Sequence, residues 1–247
     1  MERAEYLVMA AVEGHHWWYG GMRAIAASII DGAYAGRSDL DILDAGCGSG
    51  GNAHFLRRYG KVTGIDLAAE ALALGKTSVR GRLARASVLA IPCLDASFDL
   101  VTSFEVLYHR AVPDELMALR EARRVLRPGG RLLVRLPAYQ FLLRRHDREV
   151  HTRQRYTAGR VRALLQAGGF AVERCTYINT LLFPLAVVQQ LAERVLPNLT
   201  SNSSNLVPPS AVLNEALRWP LAAEAAWIAS GRSFPFGLSI ACMARKT

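Results

Sequence analysis

The stretch that decides the fold is Ile42-Leu43-Asp44-Ala45-Gly46-Cys47-Gly48-Ser49-Gly50-Gly51. Apolar and small residues around one carboxylate lead into four glycines within six positions. This pattern predicts a short buried strand that turns sharply into a helix, because glycine permits a positive φ and lets the backbone approach a ligand closely. The helix that follows would point its free N–H groups at that ligand.

A second short strand is predicted at Val62-Thr63-Gly64-Ile65-Asp66, and it ends in a carboxylate 15 residues after Gly51. An acidic group at this place can accept hydrogen bonds from the hydroxyls of a ribose. Together, the two segments indicate a nucleoside-containing cofactor in the first crevice of a parallel α/β sheet.

Two cofactors fit this signal. Gly46, Gly48 and Gly51 satisfy the spacing G-x-G-x-x-G, and Asp66 follows at the distance expected of a dinucleotide site. Asp44 favours a different ligand, because a carboxylate beside the loop would repel a pyrophosphate and attract the sulfonium and ammonium groups of S-adenosylmethionine. An ordinary glycine turn with Asp44 as a helix cap is the third interpretation.

The composition indicates a well-packed protein, since 51% of the 247 residues are hydrophobic. This length suits one large α/β domain with insertions, or two small domains. The charged N-terminus and the lack of an apolar run of about 18 residues predict no secretory signal and no transmembrane segment. Four widely spaced cysteines predict reduced thiols rather than a disulfide framework, and hence a cytoplasmic location; they are Cys47, Cys93, Cys175 and Cys242.

The net charge is +9, and seven arginines lie between Arg144 and Arg162 together with two histidines. This segment is either a solvated basic face or an anion-binding pocket for a phosphorylated or carboxylated substrate. Nucleic acid is a weaker interpretation, because few aromatic residues are interleaved and no recognition motif is present.

Apolar runs alternate with helical patterns along most of the chain, which is typical of a parallel sheet covered by helices. Strands are predicted near 40–45, 61–66, 82–87, 98–103, 130–136, 170–177 and 237–244. Helices are predicted near 3–12, 17–34, 50–59, 68–79, 113–126, 157–167, 183–196 and 210–229. We therefore expect an N-terminal helical cap at 1–36, a core at 37–178 and 233–247, and a helical insertion at 179–232. The insertion could form a lid, a substrate wall or a dimer contact.

Four motifs in order resemble those of class I S-adenosylmethionine-dependent methyltransferases of the bacterial methyltransferase-domain type. They are Leu43-Asp44-Ala45-Gly46-Cys47-Gly48-Ser49-Gly50, Gly64-Ile65-Asp66, Asp95-Ala96-Ser97-Phe98-Asp99-Leu100-Val101 and Glu121-Ala122-Arg123-Arg124-Val125-Leu126-Arg127-Pro128-Gly129-Gly130. The resemblance implies a doubly wound, Rossmann-like sheet of seven strands in the order 3-2-1-4-5-7-6, with the last strand antiparallel. It also implies S-adenosyl-L-methionine as cofactor and methyl transfer as activity.

The resemblance also assigns roles at the cofactor site. Gly46, Cys47 and Gly48 would line the methionine part, with Asp44 near the ammonium group. Asp66 would hold the ribose hydroxyls, and Leu67 would pack on the adenine. The remaining contacts would come from Ser87 and Val88 near the adenine amine, where the family commonly has an aspartate, and from the backbone carbonyls of Phe104 and Glu105 near the sulfonium.

The acceptor side is predicted from histidines and tyrosines near the active-site edge. A base with a pKa near neutral favours histidine, so we name His146, His109 and Tyr108 as catalytic candidates. His151, Arg155 and Tyr156 are the candidates for substrate binding. For His146 the alternative is a hydrogen bond to Asp147 that orders the loop. No metal is expected.

The segment His15-His16-Trp17-Trp18-Tyr19 precedes a glycine pair and Arg23. In the family, the N-terminal segment often closes over the donor. We expect Trp18 or Tyr19 to cover the cofactor and Arg23 to meet its carboxylate. The alternative is that the tryptophans only attach the N-terminal helix to the sheet.

The predicted function is methyl transfer to a small-molecule, amphiphilic or anionic acceptor, such as a natural product, an isoprenoid or a glycolipid intermediate. The apolar residues of the segment Tyr177 to Ser230 would supply an apolar wall for it, or else a homodimer contact; they are Ile178, Leu181, Leu182, Phe183, Leu185, Val187, Val188, Trp219 and Trp227. Two alternatives stay open: an NAD-dependent oxidoreductase, and a non-catalytic binding protein on a methyltransferase fold.

Overall fold

The computed structural model describes residues 3–75, 82–143, 147, 150–195 and 210–247. Within these ranges, seven strands form one sheet with the order β3-β2-β1-β4-β5-β7-β6. The strands are β1 (Leu40–Ala45), β2 (Gly60–Asp66), β3 (Arg82–Arg85), β4 (Phe98–Phe104), β5 (Leu126–Pro137), β6 (Phe170–Ile178) and β7 (Ser239–Lys246). β7 is antiparallel to both of its neighbours, and the pairs among β1 to β5 are parallel. The predicted fold class is confirmed.

Helices cover both faces of the sheet. They are α1 (Arg3–Val12), α2 (Trp17–Tyr34), α3 (Gly51–Leu56), α4 (Ala69–Gly75), α5 (Glu115–Val125), α6 (Ala158–Ala167), α7 (Phe183–Val195) and α8 (Ala211–Ala229). α5 begins two residues later than predicted, because the Asp114 side chain accepts hydrogen bonds from the backbone N–H groups of Leu116 and Met117 and so caps the helix.

The central strands are buried on both faces, as parallel strands between two helical layers should be. Alternate residues point to opposite sides: Ile42 packs with α2 and α8, whereas the next residue, Leu43, packs with α5 and α6. On the first face, a Cβ on Gly21 of α2 would lie only 2.1 Å from a Leu221 side-chain carbon of α8. The sequence assigned α2 to a cap and α8 to an insertion, but the two helices pack closely together on the sheet.

β5 is longer than predicted. The sequence predicts a strand only from about residue 130, but β5 already begins at Leu126, which pairs with Phe98 of β4. The register between the two strands then shifts before Leu100. Arg127 contacts Asp41 of β1 at 2.8 Å and Asp99 of β4 at 2.6 Å, which ties this irregular start of β5 to both strands.

The cysteine prediction is wrong for one pair. Cys175 of β6 lies directly opposite Cys242 of β7, and the two form a disulfide with a sulfur–sulfur distance of 2.17 Å. The pair is 67 residues apart in sequence, so only the antiparallel register reveals the pairing. Cys47 and Cys93 are free thiols. Among the described helices, none combines the length and the apolarity needed to span a membrane.

Candidate functional site

A cavity of about 680 Å³ opens at the carboxyl ends of the parallel strands, where open α/β sheets place their ligands. Its wall is formed by the loops that follow β1, β2 and β4, by the end of β5, and by residues of α2 and α7. The site predicted from the sequence therefore has room for a ligand.

The loop after β1 is held open by its glycines. Gly46 has φ +91°, and a Cβ there would lie 2.2 Å from a side-chain carbon of Val106. Gly48 has φ +54°, and a Cβ there would meet no atom within 4 Å. Gly46 and Cys47 both donate backbone hydrogen bonds to the carbonyl of Ile65, at 2.8 and 2.9 Å. The loop is thus fixed to β2 while Gly48 borders the open cavity.

Asp66 holds this loop from the end of β2. One carboxylate oxygen accepts a hydrogen bond of 2.8 Å from the Gly48 N–H, and the other accepts one of 2.9 Å from the Ala68 N–H. A carboxylate oxygen has more than one lone pair, so Asp66 can still accept hydrogen bonds from ribose hydroxyls. Leu67 is 51% exposed beside it and lines the cavity, as a contact for an adenine ring would. Ser87 and Val88 line the same side.

Asp44 lies beneath the loop and is only 1% exposed; it is not among the residues that line the cavity. Its Oδ1 accepts a hydrogen bond of 2.9 Å from the Thr102 hydroxyl, and its Oδ2 is buried without a partner among the residues that the structure describes. Burial raises the pKa of Asp44 to about 7, and Asp66 adds to the rise while Thr102 opposes it.

Two consequences follow for Asp44. The cap interpretation is wrong, because α3 is preceded by Gly50 and receives no side-chain cap. The unpartnered oxygen is a buried acceptor that costs about 1–3 kcal/mol while it has no donor. This orphaned atom fits a cofactor that brings a positively charged donor to the loop.

Phe104 ends β4, Glu105 follows it, and both residues line the cavity. Glu105 has φ +60°, and its carboxylate accepts a hydrogen bond of 2.9 Å from Arg135 Nε. Burial raises the pKa of Glu105, and the charge of Arg135 opposes this rise. Arg135 was not predicted from the sequence, although a lone arginine in the apolar strand Leu132-Leu133-Val134-Arg135-Leu136 is a detectable signal.

The N-terminal segment forms another wall, to which Trp18, Tyr19 and Arg23 contribute. The Ser49 hydroxyl lies 2.8 and 2.9 Å from the two oxygens of the Glu13 carboxylate and donates its one proton to that group, and Arg23 donates a hydrogen bond of 2.9 Å to the Glu13 carbonyl. Burial raises the pKa of Glu13. Glu13, which the sequence did not single out, thus links the end of α1 to the glycine-rich loop.

The catalytic candidates are divided. Tyr108 and His109 line the cavity, whereas His146 lies outside the described residues. His109 Nδ1 accepts a hydrogen bond of 3.0 Å from the Ala111 N–H, and burial lowers the pKa of His109 to about 4. The imidazole is therefore neutral at physiological pH and binds a proton only weakly. Burial raises the pKa of Tyr108, so its phenol keeps its proton.

The substrate-binding candidates are also divided. Arg155 lines the cavity, but all of its nitrogens are engaged, with Asp147 at 3.0 Å twice and with the Ala138 carbonyl at 3.1 Å. Tyr156 is 1% exposed, and its hydroxyl donates a hydrogen bond of 3.0 Å to Glu115. Neither His151 nor Tyr156 is among the cavity-lining residues. His151 packs instead against His109, with ring centroids 5.6 Å apart.

The arginine-rich segment does not form an anion pocket in its described part. Arg153 pairs with Glu115 at 2.6 Å, Arg160 donates to Gln154 at 2.7 Å, and Arg162 donates to the Cys175 carbonyl at 3.1 Å. The residues expected to form an apolar wall are divided. Ile178 is buried and Leu182, Phe183 and Val187 are half-buried, whereas five others are between 41% and 71% exposed: Leu181, Leu185, Val188, Trp219 and Trp227.

Comparison with known proteins agrees with this geometry. Residues 43–134 match the family model described as a methyltransferase domain. The chain is 34% identical over 142 residues to a protein of Mycolicibacterium smegmatis named "Probable S-adenosylmethionine-dependent methyltransferase", covering 54% of the chain and 52% of that protein. It is 38% identical over 102 residues to the demethylmenaquinone methyltransferase of Staphylococcus aureus, covering 38% of the chain and 42% of that protein. The chain thus spans about half the length of the curated relatives it matches.

A solved structure shares the fold at low identity. Phosphoethanolamine N-methyltransferase 2 of Haemonchus contortus, in complex with S-adenosyl-L-methionine, has a TM-score of 0.63 at 16% identity, covering 99% of this chain and 57% of that one. The sheet order, the loop after β1, the Asp66 carboxylate and the matched domain agree with one another. Residues 43–134 therefore match a methyltransferase domain, and the chain is similar to S-adenosylmethionine-dependent methyltransferases in sequence and has the strand order of their class I fold.

Proposed function

We propose that this protein transfers the methyl group of S-adenosylmethionine to a small amphiphilic acceptor. The observation that carries the proposal is the division of one cavity into two halves. The half over β1, β2 and β4 holds the glycine-rich loop, Asp66 and Leu67. The half over β5 and β7 combines the charged residues Arg135, Asp147 and Arg155 with an apolar surface formed by Pro137, Leu142, Val150, Ala186 and Leu238.

The donor half has the groups that a nucleoside with a positively charged side chain requires. Bound there, S-adenosylmethionine supplies an electrophilic methyl group on its sulfonium. Gly46 and Gly48 keep the backbone close to the ligand, and Asp66 accepts the ribose hydroxyls. Tyr19 and Arg23 are proposed to contact its methionine end from the N-terminal segment.

The acceptor half acts mainly by position. Transfer of a methyl group is an in-line displacement, so alignment of the acceptor and exclusion of water supply much of the acceleration. Tyr108 and His109 are proposed to contact the acceptor. With a pKa of about 4, His109 is better suited to a hydrogen bond with the methyl acceptor than to removal of a proton from it. His146 stays a candidate base.

The apolar lining favours an acceptor with a hydrophobic part, and the name of the Staphylococcus aureus relative provides one example of such a class. The proposal is tested by incubating the protein with isotopically methyl-labelled S-adenosylmethionine and a cell extract, followed by mass spectrometry. A labelled product that is absent with Asp66→Ala supports the proposal. Cofactor binding without any labelled product would favour a non-catalytic binding protein.

We further propose that residues 179–232 form a homodimer contact. Leu185, Val188 and Leu191 of α7 are each more than half exposed, at 63%, 63% and 54%, and their spacing places them on one face of the helix. Sedimentation of the apo protein tests this proposal, and a strict monomer at high concentration contradicts it. A cytoplasmic location and the lack of a nucleic-acid partner remain predictions from the sequence.

A further inference from the structure

Arg135 is a buried cation in the wall of the cavity. Its side chain is 7% exposed, and its guanidinium carbon lies 4.8 Å from the ring centre of Phe104 and 5.5 Å from that of Trp18. Its Nε donates to Glu105. The two rings and the carboxylate fix the plane of the guanidinium, which leaves little freedom for the side chain to turn away from the cavity.

The terminal nitrogens of Arg135 have no hydrogen-bond partner within the described part of the chain, in contrast to those of Arg155. A guanidinium has five N–H donors, and toward the described residues Arg135 uses only the one on Nε. Because Glu105 occupies the Nε edge, the edge formed by the two terminal nitrogens remains. This planar fork matches the two oxygens of a carboxylate.

The strand order puts Arg135 between the donor contacts and the apolar surface beyond β5, with β4 on one side and β7 on the other. Donor contacts come from β2, β1 and β4, whereas Arg135 lies on β5, beside Phe104 in the register. Neighbouring strands are about 4.8 Å apart, so Arg135 is about two spacings, or roughly 10 Å, from the glycine-rich strand. On the side away from β4, β5 pairs with β7. There Pro137 lies opposite Ser239, and both residues line the cavity.

We propose that Arg135 binds a carboxylate or a similar planar anionic group of the acceptor. This inference rests on the proposed function, and it names the charged part of the amphiphile. The apolar surface of Leu142, Ala186 and Leu238 would hold the rest of the molecule. The arginine-rich segment that the sequence suggested for this task is engaged elsewhere in its described part, and the free fork lies on β5 instead.

The test uses decanoate and its uncharged analogue decanamide as probes, titrated calorimetrically into protein saturated with adenosylhomocysteine. The wild type should bind decanoate more tightly than decanamide, by about tenfold or more for a charged pair of hydrogen bonds. Arg135→Gln should abolish this preference. The matched control is Arg131→Gln, because Arg131 also lies on β5, pairs with Glu173 at 2.7 Å and stacks over Tyr34 at 5.0 Å. The control should keep the preference.

Three results overturn the proposal: no preference in the wild type, an unchanged preference in Arg135→Gln, or a loss of adenosylhomocysteine affinity in that variant while methylthioadenosine still binds normally. The last result would mean that Arg135 holds the carboxylate of the donor. If Arg135→Gln fails to fold because Glu105 loses its partner, the double variant Glu105→Gln/Arg135→Gln replaces it and must also lose the preference. Failure of the wild type to bind adenosylhomocysteine would instead contradict the proposed function itself.

Discussion

The carboxylate of Asp66 accepts a hydrogen bond of 2.8 Å from the backbone N–H of Gly48, so the acidic residue that ends β2 also sets the shape of the loop after β1. The glycine-rich loop and the acidic end of β2, which the sequence predicts as two separate cofactor contacts, are therefore joined directly. A change at Asp66 should affect both the ribose contact and the position of the loop.

Asp66→Ala should weaken the binding of adenosylhomocysteine by about tenfold to a hundredfold, because hydrogen bonds to a charged group contribute about 1.5–3 kcal/mol. Asp66→Asn should have a smaller effect, since the amide oxygen can still accept one of the two backbone hydrogen bonds. Isothermal titration measures both affinities. Asp39→Ala, a change on the surface in the ion pair with Arg37, should leave the affinity unchanged. Equal affinities for Asp66→Ala and the wild type would contradict the ribose contact.

Gly46→Ala and Gly48→Ala should fail in different ways. The Gly46 variant puts a Cβ 2.2 Å from a Val106 carbon at φ +91°, so we expect a loss of unfolding free energy of about 1–3 kcal/mol. In the Gly48 variant the added Cβ meets no atom within 4 Å. Its loss of unfolding free energy should therefore be near the cost of placing an alanine in the left-handed region, about 1–2 kcal/mol. The added methyl group also narrows the cavity, so we expect a lower cofactor affinity.

Denaturant unfolding and calorimetric titration separate the two effects. Gly32→Ala is the control, because Gly32 lies in α2 with nothing within 4 Å of its Cβ position. That change should be neutral or stabilising, since alanine is favoured over glycine in helices. If Gly48→Ala bound adenosylhomocysteine as tightly as Gly32→Ala, the glycine-rich loop would not border the ligand.

Asp44 should make the stability of the apo protein dependent on pH. Its pKa is raised by burial from 3.8 to about 7, so between these values the folded state binds more protons than the unfolded state. Stability from this group is then present below about pH 4 and is lost as the pH rises towards 7. The charges that act on it are Asp66, which raises the pKa, and Arg135, which lowers it.

Asp44→Asn should remove this loss. The Tm of the apo variant should therefore exceed that of the wild type by several degrees at pH 8, at about 2–4 °C per kcal/mol for a chain of this size, and by little at pH 4. The same variant should bind adenosylhomocysteine more weakly at pH 8, because the orphaned anionic oxygen is gone. A Tm difference that is constant from pH 4 to 8, measured by calorimetry, would be inconsistent with a raised pKa.

Glu13 should slow the release of the cofactor, because its carboxylate accepts the Ser49 hydroxyl and thereby fastens the N-terminal segment to the loop. We expect Glu13→Gln and Ser49→Ala to increase the dissociation rate of adenosylhomocysteine several-fold in stopped-flow measurements, since affinity differences appear mostly in the dissociation rate. Glu215→Gln, at an exposed ion pair with Arg218, is the control. A lower Tm with an unchanged dissociation rate would mean that the contact is structural only.

The sheet was predictable because each strand carries its own local signal. The runs that begin at Leu40, Val62 and Phe98 are short, apolar and followed by turn or acidic residues, and their order along the chain fixes the topology. The start of β5 was missed because Arg127-Pro128-Gly129-Gly130 has the composition of a turn, whereas the pairing of Leu126 with Phe98 depends on a strand nearly 30 residues away.

The site was predictable only where one segment supplies both the shape and the chemistry, as in the glycine-rich loop. Glu13 and Ser49 are 36 residues apart in sequence, and Glu105 and Arg135 are 30 residues apart. The role of each residue in these pairs depends on a partner that is distant in sequence, so neither residue alone produces a recognisable sequence pattern. Arg155 shows the opposite case. Its arginine-rich surroundings in the sequence predict a substrate contact, but its side chain forms an ion pair with Asp147.

The most direct measurement is the calorimetric titration of adenosylhomocysteine and of NAD into the same preparation, with the wild type and Asp66→Ala side by side. The wild type should bind adenosylhomocysteine at one site per chain and NAD weakly or not at all, and Asp66→Ala should reduce the first affinity. Tighter binding of NAD, or binding of adenosylhomocysteine that does not depend on Asp66, would contradict the assignment of the cavity to a methyl donor.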